Sequence, residues 1–223
     1  MSLDPRKTDP ELGKRVRDHL ISKGLETPIK ENNLSVKERV EIVQHNFENI
    51  IDTLGMDRED DSIQNTANRV AKMYVSELFY GLDYETFPKC SVFQNKYKFD
   101  EMVVERNVNV MSSCEHHFVT IDGFATIGYI PQTNVLGLSK LNRIVEYFSK
   151  RPQVQERLTC QIHEALKFIL ETEDVAVVID AKHYCVVCRG VEDTNSLTTT
   201  SKLSGLFKTD SACRAEFMAL SRR

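Results

Sequence analysis

The chain has 223 residues, of which 41% are hydrophobic and 28% charged. These are ordinary proportions for a folded globular protein, and the length suffices for one large domain plus a helical extension. The formal net charge of −4 argues against a nucleic-acid binder, which carries a basic excess, but still allows a local basic pocket for a phosphorylated small molecule. The N-terminus, MSLDPRKTDPELGK, lacks the apolar core of a signal peptide. The longest aliphatic run, Val175 to Ile179, is too short to span a bilayer, so a soluble, cytoplasmic protein without a membrane partner is expected. In a reducing compartment its six cysteines default to thiols or metal ligands.

The first third reads as helices. Glu11 to Lys23 is closed by Gly24, a C-cap residue. Ser35-Val36-Lys37-Glu38 is a capping box, and it opens an apolar stripe through Val36, Val40, Val43, Phe47, Ile50 and Leu54 that ends at Gly55. A third helix starts near Thr66 with Ala67, Val70, Tyr74 and Leu78 on one face. From about residue 100 the pattern turns to strands, Val104 to Val110 and Phe118 to Ile130. Helices return with Ser139 as N-cap of Lys140 to Lys150, and Pro152 begins another with Val154, Leu158, Ile162, Leu166 and Ile169 on one face. Val175 to Arg189 and Thr194 to Ser201 read as strands, and a short helix from about Ser211 ends the chain. The organisation is an N-terminal helical region, residues 1–85, and an α+β unit, residues 86–223, of order β-β-α-α-β-β. Its sheet should be antiparallel with both helices on one face, and its open edges point to pairing between subunits.

Two clusters carry chemistry. One is Ser113-Cys114-Glu115-His116-His117; the other is His183-Tyr184-Cys185, followed by Cys188 and Arg189. Two thiolates and an imidazole from distant segments supply three of zinc's four tetrahedral ligands and leave the fourth position for water, the pattern of a catalytic site. Strand alternation places His183, Cys185, Val187 and Arg189 on one face and Cys188 on the other, which favours Cys185 as ligand. A Cys-x-x-Cys pair is itself a common zinc motif; if both cysteines bound, the site would be closed and structural. Spacing alone also leaves room for a buried thiol among ordinary polar histidines, although burying four ionisable groups in four residues without a task is costly.

Ser113-Cys114-Glu115-His116-His117-Phe118, Gly137-Leu138-Ser139-Lys140-Leu141-Asn142-Arg143, Arg151-Pro152-Gln153-Val154-Gln155-Glu156-Arg157-Leu158 and His183-Tyr184-Cys185 with Arg189-Gly190 resemble the motifs of the GTP cyclohydrolase I family, in this order, from roughly residue 35 onward. The resemblance implies a tunnelling fold, an antiparallel four-stranded sheet backed by two helices. It also implies a homodecamer of two stacked pentameric rings with active sites at subunit interfaces. The implied reaction is zinc-dependent hydrolysis of GTP at C8, release of formate and closure to 7,8-dihydroneopterin triphosphate. The family's zinc ligands fall on Cys114, His117 and Cys185. His116 and His183 are the implied proton carriers, with Glu115 beside them. Glu156, with Gln155 next to it, is the implied guanine anchor, since a carboxylate accepts two hydrogen bonds from the guanine N–H edge. Ser139, Lys140, Arg143 and Arg189 are the implied triphosphate pocket, supported by Ser139 and Lys140 standing at a helix start. Arg69 and Lys72 resemble phosphate contacts given by an adjacent subunit, although Asn65-Thr66-Ala67-Asn68-Arg69 departs from the usual Thr-Pro-x-Arg. Two competing readings remain: a non-catalytic nucleotide- or pterin-binding module with a structural zinc, and a thiol enzyme using Cys114 as nucleophile with His116 as base.

Overall fold

The computed structural model describes residues 5–30 and 32–221. Helix α1 (Pro10–Ser22) is started by Asp9, whose carboxylate accepts from the Leu12 backbone N–H at 3.0 Å, with Pro10 in the first turn. It stops where Gly24 takes φ +67°, the left-handed cap that glycine tolerates. Helix α2 (Val36–Thr53) opens on the complete capping box. The Glu38 N–H donates to Ser35 Oγ at 3.3 Å, and the Ser35 N–H donates to the Glu38 carboxylate at 2.7 Å. No residue of the expected α2 stripe is buried: Val40, Val43 and Phe47 are half-buried and Val36, Ile50 and Leu54 exposed, while the helix buries Ile51, which lies off that stripe. Helix α3 (Thr66–Lys72) does not run to Leu78 as one α-helix. It widens into a π-helical segment over Met73–Leu78, which lets Tyr74 stack on Phe47 at 5.6 Å and on Phe79 at 5.2 Å between ring centroids.

The rest of the chain runs β1 (Val92–Gln94), β2 (Val103–Cys114), β3 (Thr120–Tyr129), β4 (Asn134–Leu136), α4 (Leu138–Ser149), β5 (Pro152–Gln153), α5 (Gln155–Leu170), β6 (Val175–His183), α6 (Tyr184–Val187), β7 (Thr198–Leu203), α7 (Leu206–Thr209) and α8 (Ser211–Ser221). The main sheet has the order β5-β2-β3-β6-β7; its four longer strands are antiparallel, and β5 is added parallel to the end of β2. Strands β1 and β4 form a separate two-stranded sheet, three residues each and so too short to show a period in the sequence.

One face of the main sheet carries Val108, Val110, Ile121, Ile127, Val177 and Ile179 into a core shared with Leu141, Ile144 and Phe148 of α4 and Leu158, Ile162 and Leu166 of α5. Val16 and Leu20 of α1 and Phe87 join the same core. The opposite face packs Ile130, Ala176 and Val178 against Phe207 of α7 and Phe217 of α8. Burial on both faces explains why β6 is an unbroken apolar run rather than an alternating one. Gly128 is required here, because a Cβ would meet the Phe217 ring at 2.7 Å. Among the described residues no helix is long and apolar enough to cross a membrane.

Several expected boundaries move. Strand β2 continues past Val110 to Cys114, because Ser112 and Ser113 are buried and paired with Ile121 and Thr120. Strand β3 starts at Thr120 rather than Phe118, which takes φ +52°. Pro152 lies in β5 and does not open a helix: with no N–H to give, it suits an edge strand, and α5 begins at Gln155. Gly137, not Ser139, is at the N-cap of α4, and Ser139 sits in the first turn. Strand β6 ends at His183, and Tyr184 to Val187 form a helical turn. The alternation argument therefore fails for residues 184–189, which do not continue the strand. Strand β7 begins at Thr198, not Thr194.

Candidate metal and substrate site

The site forms where β2 ends, β3 begins and β6 ends. Ser113 lies opposite Thr120 and Ile121 opposite His183, so the two chemical clusters reach one corner of the sheet from distant parts of the chain. Cys114 is the last residue of β2. It is fixed from outside by β5, whose Gln153 is its register partner and accepts the Glu115 N–H at 3.0 Å. The chain then reverses through Glu115-His116-His117. Phe118 N–H donates to Cys114 O and Cys114 N–H to Val119 O, both at 2.8 Å. Phe118 carries the turn in the left-handed region, a costly conformation for a bulky residue that persists only where the surroundings enforce it. Its ring packs against Phe79 at 5.3 Å and Tyr74 at 6.1 Å.

This turn exposes His116 and His117 while Cys114 stays buried. Cys185, half-buried, arrives from the first turn of α6. One donor atom each from Cys114, His117 and Cys185 lie within 4.8 Å of one another, a group that could hold a metal ion. Thiol, imidazole and thiol suit zinc. Burial and the adjacent Cys114 thiol push the Cys185 thiol up, opposed by Arg189. A cation bound between the two sulfurs would displace the thiol proton. Cys188 stands apart: its exposed thiol donates to Tyr184 O at 2.8 Å.

The remaining expected residues divide by location. Arg189 Nη1 donates to His117 Nε2 at 3.2 Å. His116 Nδ1 is 3.6 Å from Cys114 Sγ, and its Nε2 is 4.0 Å from Glu115. Glu115 is ion-paired with Arg157, whose Nε also donates to Gln153 Oε1 at 3.1 Å. Sequence reasoning did not assign Arg157 a role; the available signal was its spacing of four from Gln153 inside the Arg151–Leu158 motif. His183 Nε2 is 2.7 Å from Gln155 Oε1. Partial burial lowers the His183 pKa, opposed by the charge of Glu156 in the first turn of α5, so Glu156 is exposed yet near the site. Lys140 and Arg143 on α4 lie close enough to Cys90 to oppose the effect of burial, which pushes its thiol up to about 12. Among the described residues no hydrogen bond or ion pair joins Ser139, Lys140 or Arg143 to the thiol–imidazole cluster. Arg69 and Lys72 are exposed on α3, in the hairpin that α3 makes with α2.

A second polar chain supports the turn from behind. Gln153 Nε2 donates to Phe148 O at 2.9 Å and Gln161 Oε1 at 2.8 Å. Gln161 Nε2 donates to Leu25 O at 2.8 Å and Thr27 Oγ1 at 3.2 Å. Arg151, fully buried, reaches Thr27 Oγ1 at 3.2 Å and Glu26 at 3.3 Å. The segment after α1, to which the sequence assigned no task, is thus hydrogen-bonded through to the strand that holds Cys114.

Comparison with known proteins shows the family. The GTP cyclohydrolase I family profile matches residues 43–222. The GTP cyclohydrolase 1 of Shewanella loihica is 53% identical over 209 residues, covering 94% of this chain and 98% of that protein. Its namesake from Aeromonas salmonicida is 54% identical over 203 residues, covering 91% and 93%. The Vibrio cholerae protein of the same name is 52% identical over 208 residues, covering 93% and 96%. A profile spanning most of the length, together with relatives more than half identical over nearly all of both chains, places this chain in the GTP cyclohydrolase I family.

Proposed function

We propose that this protein is a zinc-dependent GTP cyclohydrolase I, hydrolysing GTP at C8 of the guanine to release formate and form 7,8-dihydroneopterin triphosphate. The observation that carries the reading is the convergence of Cys114, His117 and Cys185 with no fourth cysteine, histidine or carboxylate in the group among the described residues. Three protein ligands leave a position for a reactant, as catalytic zinc sites do. When bound, the ion supplies Lewis acidity that makes water a nucleophile at neutral pH.

The chain's own residues do the rest. His183, whose burial favours the neutral ring, and His116, beside Cys114, are placed to move protons on and off the purine nitrogens and later the ribose. Glu115, neutralised by Arg157, steadies the turn that carries His116 and His117. Glu156 accepts the guanine N–H edge. Arg189, Ser139, Lys140 and Arg143 bind the triphosphate, the last three from the opening turns of α4, where free backbone N–H groups add to their charge. Gln155 belongs with the substrate-facing residues by family resemblance, a role reconsidered below. Arg69 and Lys72, on the separate α2–α3 hairpin, serve a neighbouring subunit's phosphates.

The tunnelling-fold assignment is supported by the antiparallel order β2-β3-β6-β7 with α4 and α5 packed on one face. Assembly into two pentameric rings is supported by β7 standing at the end of the sheet and by the exposed apolar stripe of α2. Six free thiols fit a cytoplasmic setting.

The test is turnover of GTP by zinc-loaded protein, read as formate and, after oxidation, as a fluorescent pterin. The reading requires activity that chelation removes and zinc restores. Metal-replete protein that releases no formate refutes it, and full activity in zinc-free protein would favour the thiol enzyme instead.

A further inference from the structure

Gln155 is 1% exposed, and both ends of its amide are occupied within the protein. Its Nε2 lies 3.0 Å from Ile179 O and 2.9 Å from Thr198 O. Backbone carbonyls only accept, so this end of the amide must be the nitrogen. The other end is therefore the oxygen, which can only accept, and its neighbour at 2.7 Å is His183 Nε2. His183 Nε2 must then carry the proton.

The surrounding hydroxyls agree with this direction. Thr159 Oγ1 donates to Gln155 O at 2.8 Å. Its single proton being used, Thr159 Oγ1 accepts from Thr200 Oγ1 at 2.7 Å. Thr200 Oγ1 also lies 3.1 Å from Gln155 Nε2, where its oxygen can share a proton already directed at a carbonyl. The two amide protons face the Ile179 and Thr198 carbonyls, and reversing the amide would set both carbonyls against an oxygen. The cost of such a buried mismatch is what holds the orientation.

We propose that Gln155 is a positioning residue: its amide, oriented by the Ile179 and Thr198 carbonyls, accepts from His183 Nε2–H, fixes that ring as the Nε2–H tautomer and leaves Nδ1 as the nitrogen free for proton transfer. This rests on the proposed proton-carrying role of His183. It also moves Gln155 out of the substrate contacts, because the residue is buried, both its N–H protons face backbone carbonyls and its oxygen faces His183. The second nitrogen of a histidine is commonly set this way, by the partner that occupies the first.

The test uses the zinc-loaded full chain with 15N-labelled histidine at about pH 8, where histidine is neutral. The expected nitrogen spectrum shows His183 protonated at Nε2 and bare at Nδ1, with an Nε2–H signal slow to exchange; the signal is assigned by its absence in His183→Ala. A proton on Nδ1, or a mixture of tautomers, overturns the proposal, and this measurement needs no altered Gln155. In Gln155→Met the protected Nε2–H signal should disappear and kcat should fall about tenfold to a hundredfold, as for loss of an orienting partner, with KM for GTP nearly unchanged. A rise in KM without a fall in kcat would mark Gln155 as a substrate contact and overturn the assignment. Full turnover by His183→Ala would refute the proton-carrying role itself, a failure that the tautomer spectrum distinguishes.

Discussion

Replacing Arg151 with methionine tests whether the turn that carries Cys114 and His117 is supported from inside the core. Arg151 is fully buried, and its Nη1 is 3.3 Å from Glu26, 3.2 Å from Thr27 Oγ1 and 3.5 Å from the Tyr84 hydroxyl. The guanidinium also lies 4.9 Å, 5.0 Å and 5.2 Å from the ring centroids of Tyr147, Phe148 and Tyr84. Removing one member of a buried ion pair typically costs about 3–5 kcal/mol, and a desolvated cation–π contact about 2 kcal/mol. Two features pull the total down. Glu26 keeps 15% exposure and still accepts from Tyr84 and the Thr27 N–H. Arg151 Nε and Nη2 have no hydrogen-bond partner, so methionine also removes two poorly satisfied donors, worth about 1–3 kcal/mol in relief. The expected net loss is about 3 kcal/mol, read by urea unfolding of the zinc-free protein. The effect should reach the metal, because Arg151 leads directly into β5 and Ser112 Oγ donates to Arg151 O at 3.4 Å. Zinc affinity should fall about tenfold, within the range for outer-shell partners. A stability change below about 1 kcal/mol with unaltered zinc affinity would refute the reasoning.

Arg157→Met removes the partner of Glu115 and one tie to Gln153. Zinc affinity should drop about tenfold to a hundredfold, while stability changes by no more than about 1 kcal/mol, since the pair is partly solvated; equal losses in both would point to a general structural role. Cys188→Ala should retain one zinc per chain and its activity, and loss of the metal would instead favour the closed, structural site. Acid should destabilise the metal-free fold through His163 and Glu164. Burial lowers the His163 pKa to about 4, and the Glu164 carboxyl is also lowered, burial being outweighed by Lys167, His163 and His19. Both groups bind protons more readily when unfolded: the contribution of His163 is present above about pH 6.5 and lost as pH falls toward 4, and that of Glu164 is present above about pH 4.5 and lost below it. Melting temperature should decline through that window and decline less in His163→Gln; a flat wild-type profile would contradict it.

Much of this site was readable because its chemistry is local in sequence. Cys-Glu-His-His and His-Tyr-Cys announce candidate ligands by composition, and a capping box announces α2 by its own hydrogen bonds. The Cys185 argument shows the limit. The strand was extended through Tyr184 to Arg189 because β-branched and aromatic residues persist there, whereas the backbone turns helical at Tyr184 and the cysteine reaches the site from α6. The place of β5 was hidden for a similar reason: two residues show no period, and Pro152 resembles a helix start as much as an edge strand. The sequence reading gave Arg151, Gln153 and Gln161 no structural task. They are buried beside Glu26 and Thr27, which arrive from far upstream, a tertiary fact without a local signal. The role of Gln155 follows only from two carbonyls, Ile179 and Thr198, meeting one amide.

The central claim is that three side chains of this protein, two sulfurs and one nitrogen, hold one zinc ion. X-ray absorption at the zinc edge of loaded protein without nucleotide measures this directly. The account predicts one zinc per chain with two sulfur neighbours and two lighter ones, unchanged in Cys188→Ala. A spectrum with three sulfurs that falls to two in Cys188→Ala would contradict it.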